Sequence, residues 1–175
     1  EKTKESVQGL PHKPILAYIC TKSAPPKAHN NRRTKTLQKN RKDMISQKEF
    51  TLTPHCRGFH LVTDEIVRNL PPLPETGLLH LFIKHTSAAL SINENADPDV
   101  QTDMTAIFDR LVREREPYYQ HTCEGDDDMQ IELVGASITI PISHGRLNMG
   151  IWQGIYLCEF RNRGGGRRIV ATVVG

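Results

Sequence analysis

The sequence predicts an α+β fold, mainly antiparallel β-sheet or sandwich with one long amphipathic helix, and three observations predict it. Several short runs carry apolar residues with strand spacing, one segment carries them with helical spacing, and Gly- or Pro-containing turns separate the runs. Many strands with a single long helix favour a sheet that packs the helix on one face.

Taken in order, Phe50 and Leu52 alternate with Glu49, Thr51 and Thr53, the pattern of a half-buried strand. Gly58 to Val62 is a second extended run. It leads into Thr63-Asp-Glu-Ile, where Thr63 is placed to cap a short helix reaching Leu70. Pro71, Pro72 and Pro74 end that helix. Gly77 to Ile83 reads as a buried strand, and Ala88 to Ile92 as the next. The long helix starts at Asp97-Pro98, with Asp97 as cap and Pro98 at the first helical position. Asp99 and Asp103 sit near the positive end of its dipole. Val100, Met104, Ile107, Phe108 and Leu111 form its apolar face, and it ends before Pro117. Three further β-like runs follow: Ile131 to Ile142, Gly150 to Phe160 and Arg167 to Val174.

Charge divides the chain in two. Residues 1–45 hold eleven Lys and Arg against Glu1, Glu5 and Asp43, while the remainder holds twelve basic and seventeen acidic residues. The first part has no helical or strand periodicity and little apolar surface to offset the entropy of ordering it. It reads as a basic, disordered leader, with organellar targeting or a weak nucleic-acid patch at Lys27 to Lys42 as the other readings. Residues 46–175 form the folded domain. Its acidic balance speaks against nucleic acid as partner and suits a divalent metal, or a phosphorylated ligand reached through one. The longest apolar run at the N-terminal end, Ile15 to Cys20, is far short of the roughly 18 residues that span a membrane. Cys20, Cys56, Cys123 and Cys158 are scattered without a CxxC pair, as expected for free thiols in a reducing, cytoplasmic setting.

Two clusters carry the candidate chemistry. In the first, His85 to Pro98, strand alternation puts His85 and Ser87 on one face, close to where Asn93 and Asn95 leave the strand. Imidazole, hydroxyl and amides beside a helix N-terminus suit anion binding or acid–base work; the bland alternative is turns, a cap and an ordinary polar histidine. The second cluster is His121 with Glu124, Asp126, Asp127 and Asp128, suited to zinc, manganese or magnesium, or simply to a solvated acidic loop. Glu159 and Arg161 share a strand face, more naturally as a structural pair than a catalytic one. Gly164-Gly-Gly-Arg-Arg is a turn first and a phosphate loop second. No Walker loop, dinucleotide fingerprint or nucleophile elbow is present.

The motifs Arg57-Gly-Phe-His-Leu-Val-Thr-Asp-Glu-Ile, His85-Thr-Ser-Ala-Ala-Leu-Ser-Ile-Asn-Glu-Asn-Ala-Asp-Pro, Gly125-Asp-Asp-Asp-Met and Gly150-Ile-Trp-Gln-Gly-Ile-Tyr-Leu closely resemble the YjbQ-like family. The resemblance covers residues 46–175 in order. It implies a sandwich-like α+β domain, a homotrimer, and a metal-assisted transferase of the secondary thiamine-phosphate synthase type, acting on a small phosphorylated substrate. In that reading His85, Asn93, Asn95 and Asp103 are catalytic, Ser87, Glu159 and Arg161 bind substrate, and His85, His121, Asp127 and Asp128 hold the divalent metal (zinc, magnesium or manganese). The alternatives are a non-catalytic trimeric binding relative and a hydrolase of small phosphoesters. Two family histidines are absent here: the segment after Met129 is shortened, and Phe160 stands between Glu159 and Arg161.

Overall fold

The computed structural model describes residues 45–113, 116–121 and 131–175. The basic leader and the Asp126–Asp128 run, with Cys20 and Cys123, lie outside the described residues. In chain order the elements are β1 (Ile45–Leu52), β2 (Gly58–Leu61), α1 (Thr63–Asn69), β3 (Thr76–Ile83), β4 (Ala88–Glu94), α2 (Asp99–Leu111), α3 (Ile131–Val134), β5 (Ser137–Ser143), β6 (Arg146–Leu147), β7 (Gln153–Glu159) and β8 (Arg167–Val174). The strands form two sheets, ordered β1-β8-β3-β5-β6 and β2-β7-β4. Every pairing is antiparallel.

Alternation builds the layers. Phe50 and Leu52 of β1, Leu79, Leu81 and Ile83 of β3, Ile140 and Ile142 of β5, and Ile169, Ala171 and Val173 of β8 turn inward from the larger sheet. They meet Ala88 and Leu90 of β4 and Ile155 and Leu157 of β7, with Ile66 of α1 fully buried at the margin. Residues of opposite parity on the smaller sheet, Phe59, Ala89, Tyr156 and Cys158, join Phe160 in a second cluster. Helix α2 covers it through Met104 and Phe108, with the Phe59 and Phe108 ring centres 5.0 Å apart. The order is therefore sheet, sheet, helix.

Three local expectations change. The run beginning at Ile131 opens as the short helix α3 and becomes strand only at Ser137. A brief apolar run cannot distinguish the two by periodicity. Thr63 does not cap α1; its hydroxyl accepts the Ile155 N–H at 2.8 Å and ties the helix to β7. Pro98, not Asp97, takes the N-cap position of α2, although Asp97 Oδ1 still accepts the Asp99 N–H at 2.9 Å. Cys56 is exposed and Cys158 buried, both as free thiols. Among the described residues no helix is long and apolar enough to cross a membrane.

Candidate functional site

Three connections meet at one end of the sandwich: residues 53–57, 84–87 and 160–166. Register brings them together, because Gly58 and Ala88 both face Glu159 from opposite sides of β7. The start of β8 joins them, with the Lys84 N–H donating to the Arg168 carbonyl at 3.0 Å.

Glu159 lies at the centre for a reason visible in the strand pattern. Ile155, Leu157 and Glu159 share the face of β7 that looks between the sheets, and Arg167 precedes Ile169 and Ala171 on the matching face of β8. A carboxylate and a guanidinium thereby enter the last layer of the core, 1% and 3% exposed. Buried charges persist only when paired and hydrogen-bonded. Arg167 donates from Nε to Glu159 Oε2 at 2.6 Å and from Nη2 to Oε1. Its Nη2 also reaches Ser87 Oγ at 3.3 Å. The Arg161 N–H donates to Glu159 Oε1 at 2.9 Å. Gly164 packs over the pair, where a Cβ would collide with both partners.

His85 stands at the mouth of this pair with a donor at each ring nitrogen. The Arg168 N–H approaches Nε2 at 2.9 Å, and Arg167 Nη1 lies 3.3 Å from Nδ1. A protonated imidazole would set N–H against N–H on both sides, so the ring is neutral. Burial, then the charges of Arg167 and Arg168, hold its pKa below the ordinary histidine value. The closer contact makes Nε2 the acceptor. The ring proton then sits on Nδ1, facing Arg167 Nη1: two donors directed at one space.

The surroundings are cationic. Lys84 and Arg168 share Glu49, at 2.9 and 3.8 Å. Arg57 donates to Asp109 at 2.8 Å and to the Phe160 carbonyl. Arg161, Arg163, Arg167 and Arg168 follow one another on the β7–β8 connection and the start of β8, with Glu159 as the buried carboxylate among them.

Of the residues expected from sequence, the structure brings together His85, Ser87, Glu159 and Arg161. The expected Glu159–Arg161 side-chain pair is replaced by Glu159–Arg167, with Arg161 contributing its backbone N–H. Asn93, Asn95 and Asp103 lie elsewhere. Asn93 lies five strand positions beyond Ala88, roughly 17 Å along β4. Asn93 Nδ2 contacts Met104 Sδ at 2.8 Å, Asn95 Nδ2 donates to the Gln153 carbonyl at 3.0 Å, and Asp103 is exposed on α2. His121 is exposed beyond α2, and Asp127 and Asp128 fall outside the described residues.

The divalent metal expected at His85 does not fit the donors present. The Nε2 lone pair takes an N–H, Glu159 is committed to Arg167, and the neighbours are cations. Among the described residues no group of three or more His, Cys, Asp or Glu side chains is arranged to hold a metal ion.

Two antiparallel sheets, a long helix on the smaller one and a buried Glu–Arg pair closing one end define a small α+β sandwich domain. The chain belongs to the family described as UPF0047 protein YjbQ-like, which matches residues 48–175. It is 48% identical over 138 residues to the UPF0047 protein YjbQ of Escherichia coli O157:H7, covering 75% of this chain and 99% of that one. It is 47% identical over 105 residues to the UPF0047 protein sll1880 of Synechocystis sp., covering 58% and 71%. A crystal structure from Sulfolobus solfataricus P2, described as a YbjQ-like protein of unknown function, superposes with a TM-score of 0.61. At 22% identity, with 75% of this chain and 97% of that chain covered, it shows the common fold alone. These relatives carry the family designation, and none is described as a thiamine-phosphate synthase. That finding overturns the transferase expected from the resemblance, which is withdrawn for this chain.

Sequence reasoning missed Arg167 and Arg168, which read as the tail of a glycine turn. Their signal was available in the parity of β8, where Arg167 occupies the first inward position.

Proposed function

We propose that the arginine-rich end of the sandwich binds a small phosphorylated compound, with His85 as a neutral hydrogen-bond donor. One observation carries the reading: His85 Nδ1 and Arg167 Nη1 are 3.3 Å apart, and once Nε2 accepts the Arg168 N–H both are donors. An anionic oxygen bridging the two from the open side, about 2.8 Å from each, satisfies both. Arg167, whose Nη1 faces the mouth, supplies the charge there, and charge-assisted bonds are the strong ones. Ser87 and Glu159 act through Arg167, which they hold in place. The test is calorimetric titration with inorganic phosphate at low salt. Arg168 is half-exposed and its loss is tolerable to the fold, so Arg168→Ala is expected to weaken binding roughly 10-fold, about 1.4 kcal/mol. Equal affinity in the variant, or no phosphate binding by the unmodified chain, removes this reading.

The homotrimer implied by the resemblance stays within it. Ile45, Val174, Leu78 and Pro141 lie side by side in the register of β1, β8, β3 and β5, exposed on the outer face of the larger sheet. Such a row is surface that other copies would cover. Light scattering is expected to give a trimer mass, reduced by Leu78→Glu; a monomer mass for the unmodified chain rejects it.

A further inference from the structure

On the other side of β7 from His85 lies a second imidazole, His55. His55 precedes Gly58 by three residues, as His85 precedes Ala88 by three, and both Gly58 and Ala88 face Glu159. Each histidine thus sits in the connection that leads into a strand paired with β7 at Glu159, one on either side. Two strand spacings separate their strands, roughly 10 Å.

Local hydrogen bonds fix which nitrogen of His55 carries the proton. Thr53 donates its N–H to Glu65 Oε1 at 2.7 Å and its hydroxyl proton to Glu65 Oε2 at 3.1 Å. With that proton committed to a carboxylate, Thr53 Oγ1 can only accept from His55 Nε2, 3.4 Å away. The His55 proton thus sits on Nε2, and Nδ1 carries a lone pair. His60 stacks on His55 with ring centres 4.5 Å apart, and its Nε2 donates to the Cys56 carbonyl at 2.7 Å.

We propose that His55, oriented by the Thr53–Glu65 pair, is the proton acceptor of the anion site, so that its ligand is a phosphorylated compound bearing a proton-donating group such as a hydroxyl. The inference rests on the anion reading above. The division of labour follows from the geometry: His85 has its lone pair engaged and presents a donor, whereas His55 has its donor engaged and presents a lone pair. On binding, the hydroxyl hydrogen-bonds to Nδ1. Full transfer would place its proton there, giving an imidazolium and an alkoxide. The charged groups that act on His55 are Glu65 from α1, His60 from β2 and, at longer range, Glu159 from β7. Burial and His60 together keep it below the ordinary histidine pKa, against the opposing pull of the two carboxylates, so it is neutral and able to accept near pH 7.

Nitrogen-15 NMR of the imidazole rings on the full chain tests this directly. His55 is expected as the Nε2–H tautomer, and Thr53→Val, which removes the accepting oxygen, is expected to mix the tautomers without unfolding the domain. Phosphate is the probe for proximity: bound anion raises the pKa of a facing histidine, so the His55 midpoint should move to higher pH on saturation. An Nδ1–H tautomer at His55 overturns the proposal. So does a midpoint that ignores phosphate while the His85 resonances respond, which leaves the anion reading standing. If phosphate fails to bind at all, both readings fall together.

Discussion

Glu159→Ala is expected to cost about 3–5 kcal/mol of folding stability, because it strands a guanidinium in the core. Arg167 is 3% exposed, and Glu159 takes both its Nε and Nη2 bonds as well as the Arg161 N–H. Arg167→Ala should cost a similar amount, for it leaves the carboxylate unpaired between the sheets. The double change Glu159→Leu with Arg167→Met is expected to recover much of the loss, since apolar side chains of similar volume often replace a buried ion pair at little cost. Urea denaturation of the three variants forms the cycle. Single variants within about 1 kcal/mol of the parent chain would show that the pair is solvated and does not close the core. The double variant separates stability from function: a domain that folds well but no longer binds phosphate shows that the pair is kept to aim Arg167 at the His85 mouth.

How much of this was legible in the sequence differs from element to element. Strand alternation placed Phe50 and Leu52 correctly, and the same rule put His85 with Ser87, whereas the run Gly77 to Ile83 read as wholly buried and proves to alternate. The parity rule also put Glu159 and Arg161 on one face. It could not show that the partner of Glu159 comes from the other sheet, because strand order and the facing of two sheets are long-range properties with no local trace. Asn93, Asn95 and Asp103 were drawn into the site by closeness in sequence, yet an extended strand carries its ends apart. His55 and Thr53 gave no signal at all. Their meaning depends on Glu65, twelve residues from Thr53, reaching back from α1.

Leu157→Ala is expected to cost about 2–5 kcal/mol, the range for emptying a buried leucine site. Leu157 is fully buried between the sheets on β7, the central strand of the smaller sheet, where the backbone is fixed by pairing on both sides. Little collapse can fill the void, which favours the upper half of that range. Leu111→Ser makes the contrast. The periodicity of α2 places Leu111 on its apolar face, but the helix has no buried residue, and Leu111 is 67% exposed. Met104 and Phe108 reach the second cluster and Asp109 pairs with Arg57, whereas the Leu111 side chain stays largely in solvent. A change there is expected within about 0.5 kcal/mol of neutral. Thermal and chemical denaturation of both variants measure the difference. A loss at Leu111 approaching that at Leu157 would mean the helix end is covered by another chain in solution, moving the contact between copies from the outer sheet face to α2.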